Sequence, residues 1–128
     1  MSDVSTTSTL ILVADDDPAS RELARAFLEN SGYRVVLAND GAQALKLARE
    51  HLPALALLDI RMRGLDGFEV CEQLRSEPAT SAMKLALLSA QDRPSDLLLA
   101  RQRGADTLIS KMLGWSGILK RVQELLQA

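Results

Sequence analysis

The sequence predicts a doubly wound α/β sandwich, a five-stranded parallel sheet in the order 2-1-3-4-5 with helices on both faces. Three observations lead there. Short runs recur that are apolar on both faces, as strands covered on each side require. Between them lie segments with apolar residues at roughly 3.6-residue spacing, bounded by helix start and stop signals. Right-handed crossovers between parallel strands then leave few strand orders, and 2-1-3-4-5 is the common one for five.

The elements follow in order. "MSDVSTTST" (1–9) is polar and reads as a frayed, disordered tail, leaving 10–128 as one domain. "LILVA" (10–14) is the first strand. Asp17 followed by Pro18 is a helix cap plus first-turn proline, opening "PASRELARAFLENSG" with Gly32 as its stop. "RVVLA" (34–38), "ALALLD" (54–59), "KLALLS" (84–89) and "TLIS" (107–110) supply the other strands. "DGAQALKLAREH", "LDGFEVCEQLRSE" and "PSDLLLARQRG", the last closed by Gly104, are the intervening helices. The final helix, "GWSGILKRVQELLQA", puts Trp115, Ile118, Leu119, Val122, Leu125 and Leu126 on one stripe. Trp115 is either part of that buried stripe or a half-exposed anchor at the helix's first turn.

Composition narrows the function. Of 128 residues, 47% are hydrophobic and 25% charged, ordinary for a soluble globular domain. A net charge of −2 and a pI near 5.4 give no electrostatic footprint for nucleic acid or a membrane surface. No apolar run approaches the roughly 20 residues needed to cross a bilayer, and the N-terminus lacks the pattern of a secretory signal. The single Cys71 excludes an internal disulfide and fits a reducing cytoplasm. Cys71 and Phe68 fall on an apolar helix stripe and read as core.

Asp15 and Asp16 end the first strand, and Asp59 ends the third. In the expected order these strands are neighbours, and their carboxyl ends meet at the switch point where open α/β sheets bind ligands. A solvated acidic loop is the plain alternative for Asp15 and Asp16. Against it stands Asp59, which interrupts an apolar strand where an unpaired charge is costly. Ser89 and Lys111 end the fourth and fifth strands on the same rim. Three carboxylates and one lysine leave a local charge of about −2, suited to a hard divalent cation: Mg²⁺ best, with Mn²⁺ able to substitute.

The stretches "LILVADDDP", "ALALLDIRMRGLDGFE", "LALLSA" and "GADTLISK" together resemble the CheY-like receiver domain of bacterial two-component response regulators, from about Leu10 to Leu126. The resemblance implies a flavodoxin-like fold and a role for each residue. Asp59 would be the phosphoacceptor. Asp15, Asp16, Asp59 and the Arg61 backbone carbonyl would hold Mg²⁺, directly or through water. Ser89 would hydrogen-bond the phosphoryl group and Lys111 would pair with it. The donor would be phosphohistidine on a histidine kinase or phosphotransfer protein, and the output a changed protein-binding surface. That surface would be read by a downstream protein, an appended output domain or a second copy through the fourth helix, fifth strand and fifth helix. Self-phosphorylation and self-dephosphorylation would be its only chemistry, with no turnover of external substrates. The rival readings are a phosphorylation-independent binding module and an aspartate-nucleophile phosphohydrolase; the latter wants an acid where Arg61 stands.

Several positions depart from the family's pattern. Arg63 replaces a usual proline, and a solvated arginine is the simplest account. Met112 replaces a proline after Lys111, which favours a trans peptide there. Leu108 stands where Tyr or Phe is common, so either the usual aromatic switch is altered or the change is one of packing. Arg61 and Gln91 occupy positions tied to phosphoryl lifetime, and Arg61 is expected to cover the phosphoryl group against water. Leu97, Leu98 and Leu99 span more of a helix than one core stripe, so at least one must face outward.

Overall fold

β-rich apolar runs and capped amphipathic segments settle into strict alternation. The computed structural model describes residues 9–91 and 93–127. The expected disorder of residues 1–9 falls, except for Thr9, outside the described residues. The strands are β1 (Leu10–Ala14), β2 (Arg34–Ala38), β3 (Leu55–Asp59), β4 (Lys84–Ser89) and β5 (Thr107–Ser110). The helices are α1 (Pro18–Asn30), α2 (Gly41–His51), α3 (Gly67–Ser76), α4 (Pro94–Gln102) and α5 (Gly114–Gln127). A short 3₁₀ turn, Lys111–Leu113, precedes α5 and was not evident from the sequence.

The strands pair in parallel in the order β2-β1-β3-β4-β5. Ala14 lies opposite Leu58, so the chain leaving β1 runs directly toward Asp59 at the end of β3. The sheet divides the core in two. On one face Leu12, Ala56, Leu58, Leu85 and Leu87 pack against α2, α3 and α4. On the other, Ile11, Val13, Leu57, Leu88 and Ile109 pack against α1 and α5. β3 is buried along its whole length, which explains a continuous apolar run ending in a single acid.

Asp17, Asp40 and Asp66 cap α1, α2 and α3, each accepting a backbone N–H in the first turn. Trp115 is half-buried, with its ring stacked on Phe27 of α1 at a centroid distance of 6.1 Å. Leu99 packs inward, whereas Leu98 is 64% exposed and Leu97 36%, so the outward leucines expected on α4 are there. Leu108 is half-buried against the α2–α4 side of the core, as a packing substitution would be. Cys71 is fully buried, and burial pushes its thiol up to about 12, which leaves it inert.

Two glycines set how closely the β3–α3 loop lies on its neighbours. A Cβ at Gly67 would stand 2.6 Å from the Asp59 carbonyl oxygen and 2.8 Å from Leu87 Cδ2. A Cβ at Gly41 would stand 2.1 Å from the Leu65 carbonyl oxygen. α3 therefore starts directly against the end of β3, and the loop between is short and tightly held. Gly67→Ala must displace the end of β3 or α3; we expect a loss of about 1–3 kcal/mol of stability, read from urea unfolding. An unchanged urea midpoint would show that the loop yields freely.

Candidate phosphoacceptor and metal site

The carboxyl ends of the strands carry a cavity of about 850 Å³ lined by Asp15, Asp16, Asp59, Ser89 and Lys111, among others. Every residue expected at the site is therefore on one rim. One carboxylate oxygen each from Asp15, Asp16 and Asp59 lie within 4.8 Å of one another. The three differ in setting: Asp15 is 3% exposed and Asp59 8%, while Asp16 is half-exposed. An oxygen-only set with two buried members and one open to solvent suits a hard cation that keeps part of its water shell.

Asp17 stands apart from this trio. Its carboxylate accepts from the Ser20 N–H (2.9 Å) and the Ser20 hydroxyl (2.8 Å), which holds its pKa below the ordinary value. The Asp17 N–H in turn donates to Asp15 Oδ1 at 3.0 Å, and the Arg21 guanidinium donates to the Asp15 carbonyl at 2.8 Å. The run of three acids thus divides its work: Asp17 caps the helix, and Asp15 and Asp16 join Asp59 in the carboxylate trio.

Lys111 bridges the buried pair. Its ammonium donates to Asp59 Oδ2 at 3.0 Å and to Asp15 Oδ2 at 3.2 Å. Burial alone would disfavour that ammonium, but Asp59 and Asp15 outweigh it and hold the lysine above its ordinary pKa. It reaches the site from the 3₁₀ turn, where the Ser110 hydroxyl accepts the Met112 N–H at 3.1 Å. No peptide bond among the described residues is cis, so Lys111–Met112 is trans as expected.

The Asp59 pKa also shifts upward, but in a carboxyl a rise disfavours the charged form. Burial raises its pKa, the Asp15 charge adds to that, and Lys111 with the Arg61 N–H only partly offsets it. Ser89 is buried, and its hydroxyl is engaged at both ends: it donates to the Gln91 carbonyl and accepts the Gln91 N–H. Arg61, Arg63, Arg93, Asp66 and Asp96 also line the cavity. The last three were not foreseen there; the strand–loop–helix order places loops β3–α3 and β4–α4 beside each other, which was the available signal.

A family model for the response regulator receiver domain matches residues 11–123. The chain belongs to that family. The receiver domain is 40% identical over 120 residues to response regulator GtcR of Aneurinibacillus migulanus, covering 94% of this chain and 48% of that protein. It is 39% identical over 117 residues to response regulator MprA of Mycobacterium leprae, covering 91% and 50%. The chain thus spans about half the length of these curated relatives. Among solved structures, the Francisella response regulator 1452 receiver domain superposes with a TM-score of 0.86 at 26% identity, covering 94% and 98% of the two chains. A CheY-like receiver domain protein of Methanospirillum hungatei gives 0.85 at 26% identity, covering 93% and 94%. Both confirm the 2-1-3-4-5 flavodoxin-like architecture. This is a receiver domain of a two-component response regulator, and a phosphorylation-independent module is not favoured. No described helix is long and apolar enough to cross a membrane.

A carboxyl whose folded pKa exceeds its unfolded value favours the fold when protonated, and that benefit is lost as pH rises through the folded pKa. At neutral pH the ionised Asp59 therefore weakens the fold. Asp59→Asn should raise the urea midpoint at pH 7 without divalent cations, with the gain vanishing below about pH 4. A lower midpoint at pH 7 would show that the pairing with Lys111 outweighs burial.

Proposed function

We propose that the receiver domain, residues 10–128, stores a signal as a phosphoryl group on Asp59, taken from phosphohistidine on a histidine kinase or phosphotransfer protein in the cytoplasm. The observation that carries this is the trio of Asp15, Asp16 and Asp59 with Lys111 bridging two of them. A carboxylate attacking phosphorus meets like charge on the phosphoryl oxygens, so positioning and charge neutralisation supply most of the rate.

Each side chain has a task. Asp59 supplies the attacking oxygen. Lys111, already 3.0 Å from that carboxylate, moves onto the oxygens of the bound phosphoryl group. Ser89 gives up its contact with the Gln91 carbonyl to donate to the same group. The oxygens of Asp15, Asp16 and Asp59 and the Arg61 carbonyl would hold Mg²⁺, or Mn²⁺ in its place, which supplies positive charge where the phosphoryl oxygens crowd together. Arg61 is exposed, lines the cavity and covers the product, slowing attack by water. The aspartyl phosphate is labile, so the signal decays, and no external substrate is turned over.

Ser89 leads into the β4–α4 loop, and the exposed Leu97 and Leu98 on α4 support that flank as the surface read downstream. A separate protein, an appended output domain or a second copy using α4, β5 and α5 would be the reader.

Intact-mass spectrometry after acetyl phosphate and Mg²⁺ tests the reading. One added phosphoryl group is expected on the parent and none on Asp59→Asn, and Arg61→Ala should shorten its lifetime after donor removal. Equal labelling of parent and Asp59→Asn would overturn the assignment of the acceptor; an unchanged lifetime would remove the role of Arg61.

A further inference from the structure

Asp16 is the half-exposed member of the trio, and its carboxylate has no hydrogen-bond or ion-pair partner among the described residues. What aims it is the main chain on either side. The peptide unit after it is fixed, because the Asp17 N–H donates to Asp15 Oδ1 at 3.0 Å. The peptide unit before it is fixed too, because the Arg21 guanidinium donates to the Asp15 carbonyl at 2.8 Å. Asp15 itself is anchored to the sheet, its N–H donating to the Ala38 carbonyl at 3.1 Å. Arg21 is half-buried at the start of α1, and its own N–H donates to the Asp17 carbonyl at 3.0 Å. The loop that carries Asp16 is thus tied to Arg21 at both ends.

Arg25, Arg49, Arg75, Arg103 and Arg121 each lie against a carboxylate. Arg21 is in no ion pair among the described residues and turns its guanidinium to a backbone carbonyl instead. Two effects of that arrangement oppose each other. As a positive charge close to three carboxylates, Arg21 repels a divalent cation. As a donor, it steadies the one carboxylate of the trio that no side chain holds. Ligands steadied by a hydrogen-bonded partner bind a metal more tightly, and losing such a partner costs roughly 10–100-fold in affinity. We propose that Arg21 is a positioning residue of the cation site, fixing the peptide unit before Asp16 and so aiming the Asp16 carboxylate at the ion.

The inference rests on the trio binding Mg²⁺, as the proposed function requires, and the sign of one substitution separates positioning from charge. Were Arg21 only a nearby cation, neutralising it would tighten Mg²⁺ binding. If it positions Asp16, the same change weakens binding although the local charge has become more negative. Lysine restores both the charge and an N–H donor, so any tightening it gives over a neutral residue comes from the donor.

The measurement is the Mg²⁺ dissociation constant of the full chain, by calorimetric titration, with urea unfolding run beside it to confirm a cooperative fold. Arg21→Met should raise that constant about tenfold, the low end of the range because Lys111 still holds Asp15 and Asp59. Arg21→Gln should do the same, so the test stands if one of the two variants fails to fold. Arg21→Lys should recover part of the loss. Arg25→Met, which removes an exposed arginine paired with Glu22 one turn further along α1, should leave the constant unchanged. Tighter binding by Arg21→Met and Arg21→Gln, or binding within about twofold of the parent, overturns the proposal. Equal weakening by Arg21→Lys and Arg21→Met overturns it as well. A parent with no saturable Mg²⁺ binding removes the cation site itself, and this proposal with it.

Discussion

Parallel pairing of β1 with β3 forces Asp15 and Asp59 together, and the rest of the site follows from that compulsion. Two carboxylates about 4 Å apart near a protein surface repel by about 4 kcal/mol. Here both are buried, so water relieves little of it. Lys111 provides the relief, touching both oxygens from the far side of the sheet's carboxyl edge. The result is balanced but incomplete: one ammonium faces two buried carboxylates, with Asp16 adding a third at the opening. That excess of negative charge is what, in the proposed function, a divalent cation would offset before a phosphoryl group arrives.

The scaffold is built to keep that condition. β3 is buried throughout, and the close approach of Gly67 to the Asp59 carbonyl fixes the end of the strand. Behind it, Arg75 ties α3 to two other segments. Its guanidinium donates to the Gly104 carbonyl (2.6 Å), the Ser81 carbonyl (3.1 Å) and Asp106 (3.0 Å). Asp106 accepts the Leu85 N–H in turn, so the entry to β4 and the entry to β5 share one clamp. At the other end of the sheet the Ser89 hydroxyl holds its loop through two short-range bonds to the Gln91 backbone. Leu108, half-buried against the core, supplies no aromatic side chain at its position.

Much of this was legible in the residues. The strands sit where the apolar runs placed them, most plainly β1, β3 and β4, where burial on both faces leaves little polar pattern to blur the signal; β3 begins one residue later than expected, at Leu55. Asp17 was separable from Asp15 and Asp16 because the following proline marks a cap, a local signal. The convergence of Asp15, Asp16, Asp59, Ser89 and Lys111 was readable only through strand order, since nothing local links residues so far apart. What stayed hidden was nonlocal and side-chain specific. The clamp at Arg75 joins a helix end to loops 29 and 31 residues away, and one arginine among several carries no mark of it. The 3₁₀ turn after β5 depends on Ser110 capping Met112, a choice that weak propensities do not announce.

Calorimetric titration with Mg²⁺ bears most directly on the crowded carboxylates. The parent should show one saturable site, Asp15→Asn should lose it, and Lys111→Met should bind more tightly because the ammonium no longer competes. No saturable heat in the parent, or equal binding by all three proteins, would contradict the account.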